Sequence, residues 1–196
     1  MKNNFLQFIN QLYDHQQIKN ILRNLQERLK LNLNILLFCC WFARQGCRNL
    51  SKKELQNIIN SIAPWHNQII IALQKMYLDS KKVNNQAWQE HISSKITDTI
   101  FSAQQMEQVT IAETIARAPA DRTSNQKIAD ACKSISAYCK ELQIGLEQQD
   151  IEYIQQLLIY IFPDSNYDSL VSYWENFAGN KKQKAFSYLQ PQLDEL

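Results

Sequence analysis

The side chains best suited to chemistry are five cysteines, three histidines and a few isolated charges, and their spacing limits what they can do. Cys39, Cys40 and Cys47 lie close together, whereas Cys132 and Cys139 stand far along the chain. Neighbouring residues on a helix point about 100° apart. No Cys-x-x-Cys pair is present to form half of a zinc site. Cys132 and Cys139 are two helical turns apart, which suits packing on one face and is too far to share an ion. The expected role is that of free, buried thiols acting as small hydrophobes, with no metal and no cofactor. Their odd number in apolar helical surroundings fits a reducing cytoplasm better than a disulfide framework.

His15, His66 and His91 are widely separated and form no His-Glu-x-x-His pattern. Trp65-His66 follows Pro64 and is a candidate partner-binding pair, set against a reading in which Trp65 anchors packing and His66 lies on the surface. Arg44 ends an otherwise apolar run one turn after Trp41. Its guanidinium must therefore reach a carboxylate, a carbonyl or solvent, or bind an anionic group of a partner. Glu107 and Glu113 fall on one long helix, but without the Glu-x-x-His spacing of a di-metal carboxylate site. Asp164-Ser165-Asn166-Tyr167-Asp168 begins like a calcium loop, yet it lacks the glycine and the distant glutamate.

Glycine excludes more chemistry than any residue present supplies. The only glycines are Gly46, Gly145 and Gly179, so there is no clustered-glycine loop for a phosphate, a dinucleotide or a nucleophile elbow. The formal net charge of +2 is too small to argue for nucleic acid or membrane. Three glycines and four prolines in 196 residues are also too few for the turns of a β-rich fold.

The elements that must carry these residues read as all-α. The organising stretch is Asn32 to Gly46. From Ile35 to Ala43 the only polar groups are two thiols, so the helix is apolar all round and should be buried on every side. It falls well short of the roughly 20 residues needed to cross a bilayer. Before it come a helix carrying Phe5, Ile9 and Leu12, and another, capped by Asp14, carrying Ile18, Ile21, Leu22, Leu25 and Leu29. After it, Ser51-Lys52-Lys53-Glu54 is a capping box, and Pro64 suits the first turn of the next helix. Trp88, Ile92, Ile96, Ile100, Ala103 and Met106 mark the buried stripe of a long helix reaching about Ile115. A connector over 118–125 precedes the seam Ile128, Cys132, Ile135, Cys139 and Leu142, which Gly145 closes. A further helix carries Ile151, Ile154, Leu157, Leu158 and Ile161. The organisation expected is a helical bundle domain over 1–165, built around a central buried helix at about 33–45, with a C-terminal helical extension over 166–196.

Three segments carry a family resemblance: Asn34-Ile35-Leu36-Leu37-Phe38-Cys39-Cys40-Trp41, then Ala63-Pro64-Trp65, then Gln105-Met106-Glu107-Gln108. Together they resemble an uncharacterised gammaproteobacterial family of small helical proteins, a conserved domain of unknown function. The resemblance is strongest over about 5–78, weaker to about 115 and faint to about 162. It implies a cytoplasmic bacterial protein, and it supplies no activity, cofactor or catalytic residue. Some members are labelled transcriptional regulators.

With no catalytic constellation, the sequence points to a non-enzymatic protein–protein interaction module, a regulator or adaptor. Its partner is another protein, met through Arg44, Trp65, His66, Trp174 and Phe177, because aromatic anchors and arginine dominate interfaces. The first alternative is a nucleic-acid- or ribosome-associated regulator using one basic face of Lys19, Arg23, Arg28 and Lys30 with Arg48, Lys52 and Lys53, and another of Lys181, Lys182 and Lys184. The second is an enzyme or small-ligand carrier with an interhelical pocket. No membrane insertion is expected.

Overall fold

A computed structural model describes residues 2–166, 170, 173 and 174, with side chains from Asn4 onward. In chain order it contains α1 (Lys2–Tyr13), α2 (Gln16–Leu29), α3 (Leu33–Arg44), α4 (Lys52–Trp65), a π-turn (His66–Ile70), α5 (Ile71–Ser80), α6 (Gln86–Thr114), α7 (Ser124–Glu141) and α8 (Gln148–Ile161). The described residues include no strand, and no helix among them is long and apolar enough to cross a membrane. The fold is an all-α bundle.

α3 is its axis. Every residue from Asn34 to Ala43 is buried, and α1, α6, α7 and α8 all pack on it. Burying each large side chain stabilises the fold by about 1.5–3 kcal/mol, so one helix with no solvent face accounts for a large share of the core. Phe5 from α1 sits edge-on to Phe38, 5.3 Å between ring centroids, and 5.2 Å from Trp41. Gly46 ends the run at φ 81°, where a Cβ would stand 2.7 Å from the Ala120 carbonyl oxygen. Only glycine permits that approach, in which Ala120 N–H donates to the Gly46 carbonyl at 3.0 Å.

The expected elements mostly form, with four differences. Asp14 does not cap α2. Its backbone N–H bonds back to Asn10, so it completes α1, and His15 takes the N-cap position. Pro64 does not open a helix but lies inside α4, which continues through the π-turn into α5. A proline removes one backbone donor from the ladder, and the wider turn directly after it re-phases the chain. Of the apolar pattern read along α6, Ile96 and Ala103 are buried but most of the rest is not. Trp88, Ile92 and Met106 are exposed, and the buried set is Ser93, Ile96, Ala103, Glu107, Gln108, Ile111 and Ala112. Gly145 does not turn the end of α7. Gln143 does so at φ 57°, in the left-handed region.

Beyond α8, Leu170 and Trp174 are buried in the same core, and the Tyr173 hydroxyl donates to Ser136 Oγ at 3.2 Å. The expected C-terminal extension otherwise lies outside the described residues.

Charges tie the layers at their edges. Arg28 of α2 donates to Asp150 at 2.6 Å and to Glu147 at 2.8 Å, closing α2 on α8. Arg117 reaches the Cys47 carbonyl at 2.7 Å and also pairs with Glu54. Desolvation works against the Glu54 carboxylate, but hydrogen bonds from Ser51 and Arg117 outweigh it and hold its pKa below the ordinary value. A carboxylate depressed in this way adds stability above its unfolded pKa and loses it as pH falls through the folded value. Glu54→Gln should therefore flatten the acid limb of stability against pH in urea titrations. An unchanged acid limb would contradict the pairing.

All five cysteines are free and buried. Burial pushes the Cys132 thiol up to about 12 and raises those of Cys39 and Cys40 well above the ordinary value. Thiolate is the reactive form. The folded protein should therefore resist a disulfide reagent at pH 8 and react fully only when unfolded. Fast labelling of the native protein would contradict this packing.

Candidate functional site

The start of α3 lies inside the protein, so its first backbone amides need partners there. Asn32 supplies them: its Oδ1 accepts from Asn34 N–H at 2.8 Å and Ile35 N–H at 3.3 Å. That contact fixes the orientation of the Asn32 amide and leaves its Nδ2 as a donor facing away from the helix. Nδ2 donates to Glu107 Oε1 at 3.0 Å. Asn34 Nδ2 donates to the other oxygen, Glu107 Oε2, at 2.5 Å, while Gln108 Nε2 donates to Asn34 Oδ1 at 2.9 Å.

His66 completes the cluster from the π-turn. Its Nδ1 lies 2.8 Å from Glu107 Oε1 and 3.0 Å from Asn32 Nδ2. A carboxylate oxygen only accepts, so the imidazole nitrogen facing Oε1 at 2.8 Å is the donor, and Nδ1 carries the proton. Glu107 is thus a fully buried carboxylate held by three side-chain donors, two from the start of α3 and one from the π-turn. Trp65 locks the same turn by donating from Nε1 to the Ala103 carbonyl at 3.0 Å. Tyr138 of α7 accepts from Asn32 N–H at 3.1 Å, and burial raises its phenol above the ordinary range.

In front of the cluster lies a cleft of about 280 Å³. Its walls are Ile35, Ile59 and Ile62, and its polar edge is Lys30, His66 and Asn67. No acid lines it, because Glu107 stands behind the imidazole. With Nδ1 turned to Glu107, the His66 Nε2 edge is the one available to the cleft, in the manner of carboxylate-oriented histidines. Such an arrangement can accept a proton or hold a polar ligand group. Among the described residues no group of three or more His, Cys, Asp or Glu could hold a metal ion.

Of the residues singled out as partner-binding, Trp65 and His66 meet here, half-buried and both bonded to α6. Arg44 is on the surface elsewhere, its guanidinium 5.8 Å from the Phe8 ring centroid and on no carboxylate among the described residues. Trp174 is buried, because Leu170 and Trp174 dock into the core. Phe177 lies outside the described residues. Sequence reasoning passed over Asn32, Asn34 and Glu107 as a cluster. The available signal was that Glu107 falls four residues from both Ala103 and Ile111, in phase with a buried face.

A second surface is apolar. Among the described residues, nine of the thirteen large exposed hydrophobic side chains lie between Ile69 and Met106, on the hairpin of α5 and α6. α5 packs along α6, with Ser80 Oγ 2.8 Å from Ser93 Oγ, and Trp88, Ile92 and Phe101 of α6 are exposed.

A family model described as a protein of unknown function (DUF2390) matches residues 4–114. The match spans Asn32, Asn34, His66, Glu107 and Gln108, together with the whole hairpin, and agrees with the uncharacterised family expected from the sequence. The three segments that carried that resemblance bring Asn34, Trp65 and Glu107 to one place in the fold. No curated protein and no solved structure matches the chain.

Glu107→Gln would turn an amide donor toward Asn32, Asn34 and His66, leaving at least one buried donor unpaired. A cost of about 1–3 kcal/mol is expected in urea unfolding. A midpoint equal to that of the unaltered protein would show the carboxylate to be dispensable.

Proposed function

The chain belongs to a family of unknown function (DUF2390), and we propose that it is a protein–protein interaction module whose docking element is the α5–α6 hairpin and whose partner is a second copy of the same hairpin. The observation that carries this is the exposure of Trp88 (67%), Leu78 (61%), Met76 (55%) and Phe101 (53%) on two adjoining helices. Trp88 and Ile92 are one turn apart, and Met106 follows about five turns after Trp88 on the same side of α6. Isolated exposed apolar residues are ordinary, whereas a concentration of this kind marks an interface. Tryptophan and methionine are enriched at such surfaces.

A second copy fits for two reasons. A lone two-helix hairpin cannot cover both of its apolar sides, and two hairpins together make a four-helix bundle that can. The exposed charges on the hairpin are of both signs (Lys75, Asp79, Lys82, Glu90, Lys95 and Asp98), which suits the self-complementary surface of a two-fold dimer. Assembly of this kind serves a regulator or adaptor and needs no catalytic group. Nucleic-acid binding has less support, since Arg28 is held by Asp150 and Glu147, and Lys52 lies 3.6 Å from Glu141.

Sedimentation of the full chain should give about twice the monomer mass of 23.0 kDa. The double variant Trp88→Glu, Ile92→Lys should run as a monomer with unchanged helical circular dichroism. A wild-type monomer at every concentration would refute the second-copy reading.

A further inference from the structure

The cleft in front of His66 draws on the hairpin only through Ile71 at the start of α5. Its walls and its polar groups differ in kind. Ile35, Ile59 and Ile62 offer an apolar surface, while Lys30, His66 and Asn67 are polar. Lys30 is exposed and holds the left-handed position after α2 at φ 52°, its backbone N–H bonded to the Gln26 carbonyl. That backbone position is set by the helix end, so a change of the Lys30 side chain leaves the fold intact. The His66 ring is anchored from behind by Glu107, so its orientation at the edge of the cleft is set. No carboxylate among the lining residues competes for Lys30 or repels an anion. The volume of about 280 Å³ lies at the small end of ligand sites.

We propose that this cleft binds a small organic acid, its apolar body against Ile35, Ile59 and Ile62 and its carboxylate on Lys30. Glu107 fixes the His66 imidazole, which forms a wall of set orientation beside that carboxylate. Apolar walls with a few convergent polar groups form the general pattern of a small-molecule site. This assigns the interhelical pocket to ligand binding, with no reaction attached.

Benzoate and its neutral counterpart benzyl alcohol are suitable probes for the full chain, with isoleucine-methyl NMR as the readout. Benzoate should shift the methyl signals of Ile35, Ile59 and Ile62 saturably, and benzyl alcohol should do so more weakly. Lys30→Gln should weaken benzoate binding by about threefold to tenfold and leave benzyl alcohol unchanged. Three results would overturn the proposal: no saturable shift up to the solubility limit, an equal response to both probes, or benzoate affinity unaffected by Lys30→Gln. Because the readout is local to the cleft, its outcome is distinguishable from the oligomeric state set by the hairpin.

Discussion

A helix that is buried on every side cannot leave its first amides to water, and this requirement governs the arrangement around α3. The four leading N–H groups of any helix lack partners within it. At the start of α3 the answer is Asn32, whose side-chain oxygen takes two of them. Fixing that oxygen turns the Asn32 amide nitrogen into a buried donor, and an unmatched buried donor is costly. Glu107 meets it, and Glu107 in turn needs Asn34 and His66 to hold a charge away from solvent. One packing demand thus draws the end of α4, the middle of α6 and the start of α3 to one point.

The same chain of dependence explains the irregular backbone nearby. Pro64 and the π-turn bring two successive residues, Trp65 and His66, into contact with α6, Trp65 through the Ala103 carbonyl and His66 through Glu107. A π-turn inside a helix is uncommon and often accompanies a functional position. Here it places an imidazole between a buried carboxylate and an open cleft. The side chains that satisfy the start of α3 therefore also set the edge of the cleft.

Legibility in the sequence followed the range of each interaction. The burial of α3 could be read directly, since an unbroken apolar run has one interpretation in an all-helical chain. The Ser51–Glu54 capping box was equally local, and the structure contains it. What escaped was long-range or depended on neighbours. Glu107 binds Asn34 across 73 residues, and neither side chain announces the other. The α6 stripe was misassigned because periodicity reports an apolar face without saying whether anything covers it. Pro64 was placed at a helix start because local rules favour that position over a helix interior. Trp65 and His66 were named as a pair, but the carboxylate that gives them meaning was read as an isolated charge.

The central claim is that Glu107 holds the proton of His66 on Nδ1. Histidine-ring proton–nitrogen correlation spectra of the folded protein test it most directly. The account predicts a protected Nδ1–H resonance for His66 that disappears in Glu107→Gln. A spectrum showing Nδ1 unprotonated and the proton on Nε2 would mean that the carboxylate does not organise this ring, and the reading of the cleft would fail with it.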